Sequence, residues 1–178
     1  MGKVKKRNPT KLIIGLIFKE EVFFEKVKTI LKKRFGTIDF QSQTLPFKYT
    51  DYYEKEFGTG LKRKFISFKK LIYPQSIAKI KIFTNKIEDK FLLKKTVRLI
   101  NIDPGYLELG KLVLATTKDH KHRIYLDKGI YAEVTLFYED KSFKPWTWTY
   151  PDYASNEYLE IFDNIRNIYA QQIKNELP

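Results

Sequence analysis

The chain lacks cysteine altogether and is poor in glycine (8), proline (7) and histidine (2). Without cysteine there are no disulfides, no thiolate nucleophile and no cysteine-ligated zinc or iron–sulfur centre, so any chemistry rests on oxygen and nitrogen groups. Few glycines and prolines beside 43% hydrophobic and 16% aromatic residues exclude a disordered or low-complexity chain. Long apolar runs are missing too. Leu12–Phe18 is cut short by Lys19, far below the roughly 18 apolar residues of a membrane span. The basic start Met1–Arg7 resembles a signal peptide, but Glu20 and Glu21 stand where a small-residue cleavage site belongs. A cytoplasmic protein with no membrane association is therefore expected. There is no G-x-x-x-x-G-K-[ST] loop and no H-E-x-x-H spacing. Asn85-Lys86-Ile87-Glu88 only imitates a guanine-reading motif, because it falls inside a helical stripe.

What the chain does have is positive charge, unevenly spread. Residues 1–100 carry 25 Lys/Arg against 9 Asp/Glu, and residues 101–178 carry 9 against 12. An anionic partner, either a small molecule or nucleic acid, is the functional reading of that asymmetry. Of the 34 basic residues 28 are lysine, whereas arginine is the better fork for phosphate and base edges, so a lysine-favouring genome explains the excess equally well.

Residues 1–10 read as a flexible basic tail and 11–178 as a single α+β domain. Lys11–Phe18 is a continuous apolar run with β-branched residues, as in a strand covered on both faces. From Glu20 to Phe35 the spacing of Phe23, Val27, Ile30 and Leu31 predicts a helix, with basic residues in its last turn and Gly36 as its stop. Strands follow around Ile38–Phe40 and Phe65–Ile72. A helical stripe runs through Ile77, Ile80, Ile87 and Phe91, and a strand over Val97–Ile102 is ended by Asp103-Pro104-Gly105. This βαββαβ order predicts a ferredoxin-like sheet with two helices on one face. A helix over Leu107–Ala115, a β-hairpin and a C-terminal helix from Asn156 to Lys174, capped by Ser155, extend it.

The hairpin is the clearest local signal. His122–Leu126 and Ile130–Tyr138 both alternate around Asp127-Lys128-Gly129. Pairing Leu126 with Ile130 sets Tyr125 opposite Tyr131 and Arg123 opposite Glu133, which gathers an arginine, a glutamate and two tyrosines on one face.

Five stretches, TDYYEKEFG (50–58), NIDPGYL (101–107), LATTKDHKHRIYL (114–126), GIYAEVTL (129–136) and TYPDY (149–153), resemble the signature blocks of a family of uncharacterised bacterial proteins, domain of unknown function 4416. The resemblance spans nearly the whole chain and implies no established activity.

Candidate chemistry concentrates in Leu114–Tyr125, where Thr116, Thr117, Lys118, Asp119, His120, His122 and Arg123 crowd together as in an anion-binding or acid/base site. Asp103, at the end of its predicted strand, and Glu133 supply carboxylates. With His122 they form the expected catalytic set. Arg123, Lys118 and Lys111 are expected to neutralise anionic charge, with Thr116, Thr117 and Asp119 beside them and Tyr125 and Tyr131 as walls. A second charged loop contains Asp51 and Tyr52, then Gly58-Thr59-Gly60 before Lys62, Arg63 and Lys64, and is a weaker phosphate candidate. Each feature also has a plain structural reading: a cross-strand ion pair for Arg123 and Glu133, a turn for Asp103-Pro104-Gly105, and packing for Trp146, Trp148, Tyr150 and Tyr153. No metal signature orders the carboxylates and histidines, and no motif names a cofactor or an oligomeric state. The leading expectation is a protein that binds a nucleotide or another phosphorylated small molecule, with or without acting on it. A nucleic-acid-binding module and a ligand-free structural protein are the alternatives.

Overall fold

The computed structural model describes residues 2–3, 7–48, 59–93 and 97–176. The first strand, β1 (Lys11–Phe18), is buried along its whole length. Its alternate side chains feed two cores: Leu12, Ile14, Leu16 and Phe18 face one side, Ile13 and Ile17 the other. Helix α1 (Glu21–Phe35) buries Phe24, Val27 and Leu31 on the first side, so Phe24 rather than Phe23 leads the apolar stripe. Strand β2 (Ile38–Gln41), the two-residue β3 (Leu45–Pro46) and β4 (Lys62–Phe68) follow. Helix α2 (Ile77–Lys90) then packs Ile77, Ala78, Ile80 and Ile87 beside α1.

After a short ribbon, β5 (Leu92–Leu93) with β6 (Val97–Arg98), the chain enters β7 (Ile100–Leu107), β8 (Lys111–Thr116), β9 (Ile124–Asp127), β10 (Ile130–Glu139) and β11 (Ser142–Pro145), and ends in helix α3 (Asn156–Glu176). The main sheet is antiparallel throughout, in the order β11-β10-β8-β7-β1-β4-β2, with β3 on β4 and β9 on β10. Helices α1 and α2 cover one face. Helix α3 covers the other, burying Tyr158, Ile161, Phe162, Ile165 and Tyr169 against Ile13, Phe65, Leu107, Leu112, Leu136 and Phe143. Ser155 caps it, its Oγ accepting from the Tyr158 N–H at 3.4 Å. The α+β class predicted from sequence is the class observed.

Four expectations are corrected. The segment Leu107–Ala115 is not a helix: it is the end of β7, a turn and β8. Asp103-Pro104-Gly105 does not end its strand, because β7 pairs with β1 from Phe18↔Ile100 to Lys11↔Leu107. Lys62-Arg63-Lys64 is not a phosphate loop but the start of β4, with Arg63 and Lys64 buried. Arg7–Thr10, part of the stretch expected to be a free tail, is held in place. Arg7 pairs with Glu108, Pro9 accepts from Tyr169, and Thr10 bridges Ile72. None of the described helices is long and apolar enough to cross a membrane.

Candidate functional site

A proline creates the site. Ile102 turns its backbone N–H and C=O away from β1, and Pro104, two residues on, turns its nitrogen the same way, toward β8. Having no N–H, it gives nothing to that ladder. The β7–β8 pairing accordingly stops at Gly105↔Leu114. Beyond that point Ala115 and Thr116 pair only with Ala132 and Tyr131 of β10. Gly105 is required at the junction, since a Cβ there would stand 2.5 Å from the Val113 carbonyl oxygen and 2.7 Å from Leu114 Cδ2. Helix α2 serves the abandoned edge of β7: Lys81 Nζ donates to the Ile102 oxygen at 2.9 Å, and Glu88 Oε1 accepts from the Ile102 N–H at 2.5 Å. A cavity of about 650 Å³ lies where the strands part.

Arg63 of β4 reaches this cavity across the sheet. It pairs with Ile17 of β1, whereas Asp103 of β7 pairs with Gly15. With no side chain at Gly15, where a Cβ would come within 3.3 Å of Arg63 Nη1, the guanidinium lies over β1. There Nη1 donates to Asp103 Oδ2 at 3.4 Å and Nη2 to Asp152 Oδ2 at 3.2 Å. Phe47, Phe65, Tyr153 and Tyr158 surround it with ring centroids 5.0–5.8 Å away. Burial works against its charge, but the phenols of Tyr153 and Tyr158 and the carboxylates of Asp152 and Asp103 outweigh it, and the guanidinium is held firmly protonated. Burial also pushes Asp152 above the usual carboxylate range despite Arg63, and pushes the Tyr153 phenol well up, so that it stays an O–H donor.

Asp103 is the hub of the inner wall. It accepts from Asn101 Nδ2 at 2.7 Å and lies 3.6 Å from Lys81 Nζ. Arg98 Nη1 donates to Asn101 Oδ1 at 2.8 Å and to Glu88 Oε2 at 3.3 Å. Burial is the main force raising the Glu88 carboxyl, opposed by Lys81, and the charge of Asp103 adds to it.

The outer wall comes from the segment between β8 and β9 and from β10. Arg123 Nε donates to Glu133 Oε2 at 2.8 Å, and the ring of His122 donates to the same oxygen at 3.1 Å. Arg123 also bonds the Lys118 carbonyl (3.0 Å) and the Tyr150 hydroxyl (3.4 Å), which fixes the curve of Thr116–Lys118 at the mouth. Lys118 N–H donates to Thr116 Oγ1 at 3.2 Å, tightening that turn.

Of the residues singled out from sequence as candidate chemistry, the cavity is lined by Asp103, Glu133, Arg123, Lys118, Thr116, Thr117 and His120, with Arg63, Tyr150 and Tyr153 beside them. His122 stands behind Glu133 as its hydrogen-bond donor. Tyr125 and Tyr131 pair edge to face at 5.4 Å as the register predicted, but neither lines the cavity, and Tyr125 is exposed. Lys111 sits at the far end of β8, beside Glu108, and Asp119 is exposed and outside the lining. Asp51 and Tyr52 lie outside the described residues.

Sequence reading missed Asp152, Lys81, Glu88 and Asn101 as site residues, and placed Arg63 in a phosphate loop rather than on the strand that carries it to the cavity. Two of these left a signal: Lys81 and Glu88 stand seven residues apart on the same helical face as Ile77, Thr84 and Ile87, where a charge needs a buried partner. Arg63 alternates with Leu61 and Phe65 on an apolar strand face, a similar clue. Among the described residues no three histidines or carboxylates are grouped to hold a metal ion.

No curated protein and no solved structure matches the chain. A family does: the one described as domain of unknown function (DUF4416) matches residues 8–169, and this chain, with its cavity at the parting of β7 and β8, belongs to that family.

Proposed function

We propose that the cavity binds a phosphorylated small molecule, with the phosphate at the mouth near Thr116–Lys118 and Arg123 and the polar remainder against Asp103, Asn101, Arg63 and Tyr153. The observation that carries this reading is a pair of buried donors in residues lining the cavity, Arg63 Nε and Tyr153 Oη, which no described group satisfies. Buried polar atoms are nearly always hydrogen-bonded, and exceptions in a cavity call for an acceptor from outside the chain. Cations and carboxylates alternate around the wall, so the ligand that fits combines an anionic group with hydroxyl or amine hydrogen-bonding groups. Asp103 and Glu133 then act as acceptors that orient it. Glu88 and Asp152 are both raised by burial, which makes them the carboxyls that hold a proton more readily than an ordinary carboxylate if the bound molecule reacts. A cytoplasmic, anion-binding role accords with this reading.

The nucleic-acid alternative draws on the basic first half, yet Lys11, Arg63, Lys64 and Lys81 of that half are buried, with carboxylate or carbonyl partners. They add nothing to a surface that meets a phosphate backbone.

The test is a thermal-shift screen of inorganic phosphate, sugar phosphates and nucleotides. A ligand at 100 times its Kd stabilises by about 2.7 kcal/mol, roughly 5–10 °C for a chain of this size. Lys118→Ala, at an exposed position, keeps the melting temperature of the free protein but weakens that shift. A screen with no shift, or a shift that Lys118→Ala and Asp103→Asn both leave untouched, refutes the reading.

A further inference from the structure

Four aromatic rings form a continuous stack that runs up to the cavity. Trp146 and Trp148 lie 5.0 Å apart at 8°, Trp148 and His122 5.7 Å apart at 17°, and His122 and His120 5.8 Å apart at 10°. The stack is held in place from below. Trp148 Nε1 donates to the Val134 carbonyl at 3.3 Å, Thr149 Oγ1 to the Thr135 carbonyl at 2.6 Å, and the Trp146 N–H to Thr149 Oγ1 at 2.8 Å. The His122 ring is oriented by Glu133. Phe137 packs against Trp146 with centroids 4.4 Å apart and the rings tilted by 42°. At the cavity end the stack is open: His120 lines the cavity, is exposed, and among the described residues meets no ring other than His122.

Packing explains why two tryptophans would be pinned to β10, but not why two histidines continue their plane out toward a polar cavity. A series of nearly parallel rings ends in a face on which another flat ring can stack, and base–aromatic stacking tolerates any base because every base has a π-face. We infer that the ligand of this cavity carries a flat heteroaromatic base that stacks on the open face of His120 as the next plate of the series, so that the ligand is a nucleotide. This rests on the reading that the cavity takes a phosphorylated molecule, and names its class. The enclosure between β7, β8 and α2 favours a mononucleotide over a nucleic-acid strand.

Trp146 and Trp148 are the chain's only two tryptophans, so intrinsic tryptophan emission reports directly on the stack. The experiment titrates the four common ribonucleoside 5′-monophosphates and, separately, ribose 5-phosphate, following emission and binding heat. At least one nucleotide is expected to bind about tenfold or more tighter than ribose 5-phosphate and to change tryptophan emission saturably. His120→Ala should lower nucleotide affinity about 5- to 150-fold, the span of one base–aromatic stack, and leave ribose 5-phosphate unaffected. His120→Phe should retain the advantage.

Equal binding of nucleotide and ribose 5-phosphate, or nucleotide binding that leaves tryptophan emission and the His120→Ala affinity unchanged, overturns the inference while the cavity reading stands. Failure of every phosphate compound to bind removes both. Binding of a single-stranded oligonucleotide far more tightly than any mononucleotide also overturns it, in favour of a strand-binding surface.

Discussion

Replacing Arg63 with methionine keeps an apolar stem among Phe47, Phe65, Tyr153 and Tyr158 but removes the guanidinium that Asp103 and Asp152 share. Asp103 retains Asn101 and Lys81. Asp152, 6% exposed, loses its side-chain partner. Removing one member of a buried pair typically costs about 3–5 kcal/mol, because the remaining charge is stranded. Asp152 escapes part of this cost by taking up a proton. Its carboxyl already lies above the usual range through burial, and without Arg63 it rises further. A carboxyl raised in the folded state gives stability that is complete below its unfolded value, about 3.9 for aspartate, and is lost as pH rises through the folded value. The penalty of Arg63→Met is therefore smaller at about pH 4 than at about pH 8. Urea denaturation of the wild type, Arg63→Met, Asp152→Asn and the double variant at both pH values measures it. A loss of that size is within a total stability of roughly 5–15 kcal/mol, and the low-pH arm, where the loss is smaller, keeps the folded fraction measurable. The double variant should fall short of the summed losses by about 1–3 kcal/mol, because no stranded carboxylate remains. Equal penalties at both pH values, or losses that add within about 0.5 kcal/mol, refute this account of the cavity floor.

Other outcomes follow from single contacts. Gly105→Ala forces a Cβ against the Val113 carbonyl and should cost about 1–3 kcal/mol by chemical denaturation, since backbone cannot yield as a side chain does. Glu88→Gln preserves an acceptor for the Ile102 N–H but removes a carboxyl raised by burial. The wild type loses stability as pH rises through the folded value of that carboxyl, and the variant's stability between about pH 4 and 7 should be flatter by denaturant titration. Ser155→Ala removes the cap of α3 and should lower stability by about 0.5–2 kcal/mol without altering ligand binding.

Elements whose periodicity matched their burial were legible in the sequence. Strand β1, helices α1, α2 and α3 and the β9–β10 hairpin lie close to where spacing placed them, and Tyr125 faces Tyr131 as alternation predicts. The turn differs: Ile130 pairs with Asp127 rather than Leu126, and β9 begins at Ile124, so Arg123 meets Glu133 from the segment before the strand. Strand β8 was misread because Lys111–Thr116 is a central strand with apolar residues in sequence, a pattern that a buried helix shares. Asp103-Pro104-Gly105 was misread as a breaker because local signals carry no information about neighbours: the proline nitrogen faces a gap, and the glycine fits a crossing of two strands. The same limit hid half of the cavity. Most of its outer wall is one short stretch, Thr116–Arg123, visible by composition and joined by Glu133, whereas its floor joins Arg63, Asp103 and Asp152 from three distant segments through a missing side chain at Gly15. Only the strand order brings those together.

The most direct test of the central claim is an amide chemical-shift titration of the ¹⁵N-labelled protein with the tightest phosphorylated compound from the screen. Saturable shifts should cluster at Ile102–Asp103, Leu114–Lys118, Arg123 and Glu133, around the parting of β7 and β8. Shifts confined to the lysine-rich outer face of α1, with those residues unmoved, would contradict the account.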